Sequence, residues 1–233
     1  MRGVALVTGA SSGIGRAVAK CLAQQGFAMA LVARRQKLLE QLQSQLAPAK
    51  AVVLAQDLTD FGALDALVAS VHTQLGPIDV LINNAGITHT GTLESTSVAE
   101  WEQVLAVNLT ATFALTRAVL PGMRARKGGR VINLVSVAGE RAFAGWGAYC
   151  ASKAGVLAMT RVLAEEVRSE GVRVTAICPG AVDTPLWDSV GADFDRQAML
   201  SADTVASLVL YAVNLPPDAV LEEATLMPGR GAL

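Results

Sequence analysis

The sequence is poor in charged residues and in aromatic residues. Only 17% of its 233 residues are charged and 4% are aromatic, whereas 52% are hydrophobic. Because soluble domains usually contain roughly 25% charged residues, we expect much of this chain to lie in a core or in contacts between subunits. The 19 basic residues are balanced by 20 acidic residues and form no basic stripe, which argues against a nucleic-acid-binding protein.

Long apolar runs and a cysteine framework are also missing. The longest apolar runs, such as residues 27–33, are far shorter than the ~18 residues that span a bilayer. The segment after Met1 has no signal-peptide pattern, so we predict a cytoplasmic protein that does not bind membranes. Cys21, Cys150 and Cys178 are odd in number and widely spaced, which favours free thiols and predicts neither disulfides nor a metal site.

Short apolar runs alternate with longer segments of helical periodicity. The strand-like runs are residues 4–7, 28–32, 51–54, 80–82, 131–134, 172–177 and 224–227. The helical segments are residues 14–25, 36–46, 64–74, 98–126, 151–169 and 203–213. Continuous apolar strands are typical of a parallel sheet covered by helices on both faces. We therefore predict a single α/β domain over residues 1–233, with ligands bound at the carboxyl ends of the strands.

A glycine-rich turn follows the first predicted strand and precedes the first predicted helix. Gly9 permits a tight turn, Gly13 lets the backbone approach a diphosphate, and Gly15 allows the helix to pack close to the strand. The glycine spacing is one residue longer than in the common dinucleotide-binding fingerprint, and an ordinary strand-to-helix connection is the alternative. The predicted cofactor-binding residues of this turn are Gly9, Ser11, Ser12, Gly13, Ile14 and Gly15.

The residues after the second predicted strand indicate which dinucleotide binds. An acidic residue at this place would bind the ribose 2′-hydroxyl of NAD, but the chain has Ala33, Arg34 and Arg35. A guanidinium pairs with the 2′-phosphate of NADP, which a carboxylate would repel. We therefore predict NADP(H), bound by Arg34 and by Arg35, with Arg35 carrying more of the contact if the strand ends one residue earlier or later. The alternative is that both arginines begin a solvated helix.

Two further loops are predicted to complete the cofactor site. Asp57 and Leu58 follow the third strand and are placed to meet the adenine. Asn84, Ala85 and Gly86 follow the fourth strand and can line the cofactor with small and amide groups. Either loop alone would also fit an ordinary connection.

Four polar residues are candidates for catalysis. Tyr149 and Lys153 lie four residues apart at the start of a predicted helix, so that they share one face. A nearby Lys⁺ and an oxidised nicotinamide favour phenolate, which lowers the phenol pKa and makes the tyrosine a usable acid/base. Ser136 ends the fifth predicted strand, where its hydroxyl can bind a substrate oxygen. Asn108 is an amide among apolar residues of a long helix, so a local role is expected for it. Each of the four residues, taken alone, would also fit a non-catalytic role.

Taken in order, these motifs resemble the classical short-chain dehydrogenase/reductase family. The glycine turn, the Asn-Asn-Ala-Gly sequence at 83–86, Asn108, Ser136, the Tyr149/Lys153 pair and the Pro-Gly pair at 179–180 occur at the family spacings over nearly the whole chain. The resemblance implies a seven-stranded Rossmann-type sheet of order 3-2-1-4-5-6-7 with helices on both faces. It also implies that cofactor and substrate bind within one domain.

The resemblance implies a role for each catalytic candidate. Tyr149 would be the general acid/base, and Ser136 would orient the substrate. Lys153 would bind the nicotinamide ribose and lower the tyrosine pKa, and Asn108 would hold a water molecule of the proton relay.

The resemblance also extends to the cofactor and the assembly. It implies that the nicotinamide and its phosphate end face Pro179, Gly180, Val182 and Thr184. It further implies a homotetramer, a dimer of dimers. The long helices that contain Asn108 and Tyr149 would form one interface, and the C-terminal strand would contribute to another.

Substrate identity is expected to depend on residues beyond the cofactor, chiefly those within 88–91, 140–146 and a substrate-binding segment at about 181–200. Phe143, Trp146, Trp187 and Phe194 are predicted to form an apolar pocket. Arg141 is a candidate for binding a substrate carboxylate, with a solvated arginine as the alternative.

These features predict an NADP(H)-dependent oxidoreductase that acts on a small-molecule carbonyl or secondary alcohol. The C-terminal sequence is similar to that of NADP-dependent 3-hydroxy acid and serine dehydrogenases, which favours a small hydroxy acid. One alternative is a 3-oxoacyl thioester reductase, which would need a wider, basic approach for the carrier. Another is a regulatory protein that senses NADP(H) without turnover, although sensing does not need a tyrosine acid beside a lysine.

Overall fold

The computed structural model describes residues 2–190 and 194–231. Its seven strands form one sheet in the order β3-β2-β1-β4-β5-β6-β7, and every neighbouring pair is parallel. The predicted sheet is therefore confirmed. Part of the predicted substrate segment, residues 191–193, lies outside the described residues. The strands are β1 Val4–Thr8, β2 Ala28–Ala33, β3 Ala51–Ala55, β4 Ile78–Asn83, β5 Gly129–Leu134, β6 Val172–Pro179 and β7 Glu223–Leu226.

Helices connect successive strands, and short 3-10 turns lie between them. The α-helices are α1 Gly13–Gln24, α2 Gln36–Gln45, α3 Leu64–Leu75, α4 Val98–Leu105, α5 Ala111–Ala125, α6 Gly147–Val167 and α7 Ala202–Asn214. The 3-10 turns are Phe61–Ala63, Val137–Gly139, Arg168–Glu170, Pro185–Ser189 and Arg196–Ala198. Helix α6 begins four residues earlier than the predicted 151, and this places Tyr149 in its first turn.

The core has one layer on each face of the sheet, because successive strand residues point to opposite sides. Val7 of β1 faces the layer formed by α1, α2 and α7, whereas Leu6 faces the layer formed by α3, α5 and α6. All five residues of β1 are buried. This two-sided burial is the reason that the strands read as continuous apolar runs in the sequence.

The predicted helix at 98–126 is one helical stretch with a π-helical turn, Ala106–Thr110, between α4 and α5. This stretch of 28 residues has a mean hydropathy of 1.5 in its most apolar window, so its length and composition alone would allow it to cross a membrane. However, Leu115, Val119 and Met123 of its inner face are buried against the sheet. It is a core helix of the α/β fold.

Polar side chains join the two middle strands to the helices above them. Asn83 at the end of β4 donates hydrogen bonds to Thr116 of α5 (2.9 Å) and to Asn133 of β5 (2.8 Å). Asn133 in turn donates to Thr160 of α6 at 2.8 Å. All four residues are buried, and their mutual hydrogen bonds offset the cost of removing these polar groups from water. The network fixes α5 and α6 on the sheet directly below the candidate site.

Candidate active site

A cavity of about 680 Å³ runs along the carboxyl ends of the strands. Its volume is within the range of cofactor and small-molecule sites. Three residues predicted for the site, Gly15, Asn108 and Arg141, do not line it. The other predicted residues that line it are Gly9, Ser11, Ser12, Gly13, Ile14, Arg34, Arg35, Asp57, Leu58, Asn84, Ala85, Gly86, Ser136, Phe143, Trp146, Tyr149, Lys153, Pro179, Gly180, Val182, Thr184, Trp187 and Phe194.

The glycine turn leaves no room for side chains at two of its positions. A Cβ atom at Gly9, whose φ is +65°, would lie 2.7 Å from Asn84 Nδ2. A Cβ at Gly15 would lie 2.5 Å from both Gly9 O and Asn84 Nδ2. Gly15 therefore allows the close packing of α1 that the sequence predicts, although it does not line the cavity itself. The turn brings backbone N–H groups and the N-terminus of α1 to the cavity, which suits a diphosphate.

Thr8, which the sequence analysis did not select, holds this turn against the next strand. Its hydroxyl donates to Ile82 O (3.2 Å) and accepts from the backbone N–H groups of Asn84 (2.9 Å) and Ala85 (3.0 Å). Asn84 Nδ2 donates back to Thr8 O at 2.9 Å. The available signal was a hydroxyl residue directly before Gly9 at the end of a buried strand.

The two arginines have different surroundings. Strand β2 continues to Ala33, one residue beyond the predicted 32, and the Arg35 guanidinium donates to Ser11 Oγ (2.9 and 3.2 Å) and Ser12 Oγ (2.6 Å). Arg34 is exposed at the cavity, and its charge makes a small contribution to lowering the pKa of Asp57. Arg35 therefore joins the glycine turn directly, and the contact of either arginine with a 2′-phosphate stays a prediction. A guanidinium beside two serine hydroxyls fits a phosphate group.

Asp57 is held by its own loop. Its carboxylate accepts hydrogen bonds from Thr59 N (2.9 Å) and Thr59 Oγ1 (2.8 Å). These two bonds, with a smaller contribution from Arg34, lower the pKa of Asp57. A carboxylate at the end of β3 is thus kept charged, and the adenine contact predicted for Asp57 and Leu58 stays a prediction.

Lys153 is an almost completely buried cation beside the phenol ring. It is 5% exposed, its Nζ donates to Leu134 O at 2.8 Å, and Nζ lies 5.8 Å from the centroid of the Tyr149 ring. Burial lowers the pKa of Lys153 to about 8. A lysine with this pKa still carries most of its charge at neutral pH.

The pKa of Tyr149 differs from the sequence expectation. Burial raises the pKa of Tyr149 to about 12, and a hydrogen bond with Ser136 opposes this only in part. The lowered pKa expected from the Tyr149/Lys153 pair is therefore not found in the chain itself, because desolvation of the phenolate outweighs the effects that favour it. The phenol is protonated at neutral pH and is able to donate that proton.

Ser136 lies beyond β5 instead of ending it. The strand ends at Leu134, and Ser136 begins the turn Val137–Gly139, with its Oγ accepting a hydrogen bond from Ala138 N at 3.1 Å. A Cβ at Gly139 would lie 2.9 Å from Lys153 O, so this turn packs directly on α6. The close packing fixes the Ser136 hydroxyl relative to the helix that carries the phenol.

Asn108 lies below the cavity wall, in the π-helical turn. Its Oδ1 accepts from Ile87 N (2.8 Å), and its Nδ2 donates to Ile87 O (2.9 Å) and Ser152 Oγ (2.9 Å). Asn108 thus fixes the loop after β4 and the first turns of α6, and its role with a water molecule stays a prediction. Ile87 and Ser152 were not selected from the sequence, which offered no signal for a pairing between such distant segments.

The substrate end of the cavity contains a row of aromatic rings. Ring centroids lie 5.7 Å apart for Tyr149 and Trp146, 5.8 Å for Trp146 and Trp187, and 4.6 Å for Trp187 and Phe194, each in an edge-to-face arrangement. Trp187 Nε1 donates to Val182 O at 2.9 Å, which fixes the indole. The structure therefore assembles the predicted apolar pocket, and Phe143 also lines it.

Arg141 is not part of this pocket. It is exposed and does not line the cavity, because the chain turns away after Ser136 and the Arg141 N–H is bound to Val137 O at 2.8 Å. The predicted contact between Arg141 and a substrate carboxylate is therefore not supported by its position.

The sequence analysis named the segments that contain two further features of this cavity region, but it did not single out the residues. Thr88 Oγ1 is buried at the cavity and has no hydrogen-bond partner among the described residues. Arg196 donates to the carboxylates of Asp183 (2.6 Å) and Asp188 (3.1 Å) and to Thr184 O (3.0 Å). These bonds tie the segment after β6 together, and the only available signal was the nearness of opposite charges in the sequence.

Comparison with known proteins places this fold and site in one family. Residues 3–195 match the family model described as short chain dehydrogenase. A protein described as an uncharacterized oxidoreductase from Staphylococcus epidermidis is 38% identical over 97% of this chain and 96% of its own length. The 3-oxoacyl-[acyl-carrier-protein] reductase of Vibrio harveyi is 37% identical over 85% of this chain and 80% of its own length.

A solved structure agrees with these sequence matches. A metagenomic short-chain oxidoreductase, crystallised in complex with NADP, is 35% identical and has a TM-score of 0.86, with 97% of each chain covered. The fold, the order of the motifs and the sequence matches over most of the chain lead to one assignment. The chain belongs to the classical short-chain dehydrogenase/reductase family.

Proposed function

We propose that this chain, as a single domain over residues 1–233, catalyses the NADP(H)-dependent interconversion of a small-molecule carbonyl and its alcohol. The observation that carries the proposal is the meeting of Ser136, Tyr149 and Lys153 in the cavity that also contains Arg34 and Arg35. Bound NADP(H) would supply the hydride for reduction or accept it in oxidation. The proton is the part of the reaction that falls to the protein.

Tyr149 is the proposed proton donor in the reducing direction. With a pKa of about 12, its phenol is protonated at neutral pH and transfers the proton to the substrate oxygen as the alcohol forms. Ser136 holds the same oxygen by a hydrogen bond. Lys153, cationic below its pKa of about 8, stabilises the phenolate that remains. Asn108 acts by holding the loop at Ile87, and we keep the proposal that it also holds a relay water.

NADP(H) is the proposed cofactor because of the cationic groups at the far end of the cavity. Arg34 and Arg35 line this end beside Ser11 and Ser12, and no carboxylate occupies the end of β2. The related metagenomic oxidoreductase was crystallised with NADP. Both observations favour a ligand with a 2′-phosphate.

The substitution Tyr149→Phe tests the catalytic proposal, because it removes the proton donor and keeps the ring. We expect kcat for NADPH-dependent ketone reduction to fall roughly 10²–10⁴-fold, with an unchanged dissociation constant for NADPH. The measurements are loss of NADPH absorbance and a fluorescence titration. Near-normal turnover by Tyr149→Phe would remove Tyr149 from the mechanism. If the wild type turned over no carbonyl or alcohol while binding NADPH, the sensing alternative would be favoured.

A second candidate substrate class is favoured by one relative. The similarity to the Vibrio harveyi reductase supports a 3-oxoacyl thioester, whose acyl chain would enter the apolar end of the cavity. An acetoacetyl thioester compared with the free ketone would separate the two candidates. A strong preference for the thioester would favour the carrier-dependent reaction.

We also propose that the protein is a cytoplasmic homotetramer, as its family resemblance implies. Phe113 of α5 and Val162 of α6 are 52% and 58% exposed, and α5 contacts α6, so that another subunit packed on these helices would cover apolar surface. Sedimentation equilibrium should give the mass of four chains, and Phe113→Glu should give smaller assemblies. Leu38→Glu, at an exposed leucine of α2, is the control. A monomeric wild type would contradict the proposal.

A further inference from the structure

We infer that the substrate end of the cavity selects uncharged carbonyl compounds with an aromatic or other bulky apolar group. Trp146, Trp187 and Phe194 would be the specificity-determining residues. The inference rests on the proposed function, since it defines the substrate class for the same site. It also replaces the small hydroxy acid favoured by the C-terminal sequence.

The first argument is the continuity of the ring row with the proposed proton donor. Trp146 contacts the Tyr149 ring edge to face, Trp187 follows at 5.8 Å, and Phe194 ends the row. A carbonyl carbon placed beside the Tyr149 hydroxyl would therefore have its substituent against these rings. Aromatic side chains contribute large apolar areas and favour contact with another ring.

Aliphatic side chains add to the apolar lining of the cavity. They come from four separate segments of the chain. These side chains are Ile87, Val137, Ala138, Leu186, Val190 and Met227. A substituent that fills this space removes apolar surface from water on both sides.

The second argument is the distribution of charge around the cavity. Within 2–190 and 194–231, the charged lining residues are Arg34, Arg35 and Asp57 at the cofactor end, and Lys153 with its Nζ bound to Leu134 O. Residues 191–193 are Gly, Ala and Asp in the sequence and add no basic side chain. A substrate carboxylate beside the aromatic rings would lose its hydration, and the nearest lining cation, Lys153, is already bound to Leu134 O, so burial of the carboxylate is costly.

The two arginines that lie nearest in sequence to the aromatic residues do not supply the missing positive charge. Arg141 is exposed and outside the lining. Arg196 is bound to the carboxylates of Asp183 and Asp188, so its charge is already balanced. Neither residue is available to hold an anionic substrate in the cavity.

One uncharged polar group completes the site. Thr88 Oγ1 is buried at the cavity and lacks a partner among the described residues. Because buried hydroxyls normally have a hydrogen-bond partner, this group fits a neutral oxygen of the substrate, such as that of an ester. A 2-oxo ester with a phenyl group combines both recognised features.

The test compares four carbonyl compounds that separate charge from apolar size. They are ethyl phenylglyoxylate, phenylglyoxylate, ethyl pyruvate and pyruvate, each assayed with NADPH for kcat/KM. We expect the phenyl ester to be used best, with each anion roughly 10- to 100-fold worse than its ester. Equal or better use of the anions would overturn the inference. So would a preference for a trimethylammonium-substituted acetophenone over acetophenone, since aromatic faces also bind cations.

Two variants separate binding by the protein from the intrinsic reactivity of the esters. Trp187→Leu removes a ring without adding charge, and should reduce the preference for phenyl over methyl while keeping the preference for esters. Trp187→Arg places a cation on the same wall and should lower the ester-to-anion ratio at least about tenfold. Trp101→Leu, outside the cavity, is the control and should change neither ratio. Unchanged ratios in both Trp187 variants would overturn the assignment of this residue.

A binding measurement separates this inference from the proposed function. Trp146 and Trp187 are two of the three tryptophans, so ligands at the substrate end should quench the fluorescence of the NADP-loaded protein. We expect quenching by ethyl phenylglyoxylate at concentrations roughly tenfold or more below those needed for phenylglyoxylate. Selective binding without turnover would overturn the proposed function and keep the inference. Turnover of other carbonyls without this selectivity would do the reverse.

Discussion

The two ends of the cavity are built in different ways. At the cofactor end, a continuous turn of backbone follows β1, its glycines leave no room for a Cβ, and charged side chains project from the ends of β2 and β3. At the substrate end, the wall consists of side chains from distant segments, and the rings of Trp146, Trp187 and Phe194 are its largest elements. The cofactor end is therefore formed mainly by backbone, whereas the substrate end is formed by packed side chains.

This difference explains why the cofactor end could be predicted from the sequence in more detail than the substrate end. A glycine turn between a strand and a helix specifies its own geometry, because the requirements are local. The pairing of Trp146 with Trp187 requires that the chain after β6 return over the start of α6, and Arg196 ties this returning segment together by binding Asp183 and Asp188. The sequence names the aromatic residues of this end, and only the structure shows that they form one wall without an arginine.

Lys153 lies where the two ends meet, and its removal should affect both proton transfer and cofactor binding. Below its pKa of about 8, Lys153 is a cation 5.8 Å from the centroid of the Tyr149 ring, and this charge favours the phenolate that accepts the proton of an alcohol. With an effective dielectric constant of about 20, the interaction that Lys153→Met removes corresponds to about two pKa units. We therefore expect kcat/KM for the alcohol of the best ketone to fall roughly 10- to 100-fold below about pH 8, and less above it, where the wild-type lysine is neutral.

Lys153→Met should also weaken cofactor binding, because the family resemblance places this lysine on the nicotinamide ribose. Lys50→Met, which removes an exposed lysine bound to Gln74 O, is the matched control and should leave the pH profile unchanged. An unaltered profile in Lys153→Met would remove the lysine from the proton transfer. Lys153 would then contribute to cofactor binding at most, and not to proton transfer at the substrate end.

Much of the fold could be predicted because its determinants are local or periodic. The buried strands and amphipathic helices give the parallel sheet, and the motifs at Gly9, Ser136 and Tyr149 fix the end at which the site lies. The π-helical turn around Asn108 could not be predicted, since it is selected by hydrogen bonds to Ile87 and Ser152 from other segments. Such turns are often found at functional sites, and no periodicity announces them.

Two expectations for the site depended on the whole fold. Arg141 was a candidate for a substrate carboxylate or a solvated arginine, and the turn after Ser136 carries it outside the cavity. The phenol pKa was argued from the charges of Lys153 and an oxidised nicotinamide, and in the chain itself burial raises this pKa. Spacing along a helix identifies neighbours correctly, yet the dielectric environment and the path of a loop depend on the whole fold.

The smallest expected effect sharpens the comparison at the cofactor end. Arg35 is held at the glycine turn by hydrogen bonds to Ser11 and Ser12, so Arg35→Ser should weaken NADP binding more than Arg34→Ser does. A charge-assisted hydrogen bond contributes roughly 1.5–3 kcal/mol, which corresponds to about tenfold or more in the dissociation constant. NAD affinity and the KM for ethyl phenylglyoxylate at saturating NADPH should stay unchanged. Dissociation constants of both cofactors at fixed ionic strength measure the effect.

A triple variant, Ala33→Asp with Arg34→Ser and Arg35→Ser, should reverse the preference for NADP over NAD. The new carboxylate would accept a hydrogen bond from the ribose 2′-hydroxyl of NAD and would repel the 2′-phosphate of NADP. Equal affinity of the wild type for NAD and NADP would contradict the charge argument while leaving the family and the aromatic end of the cavity untouched.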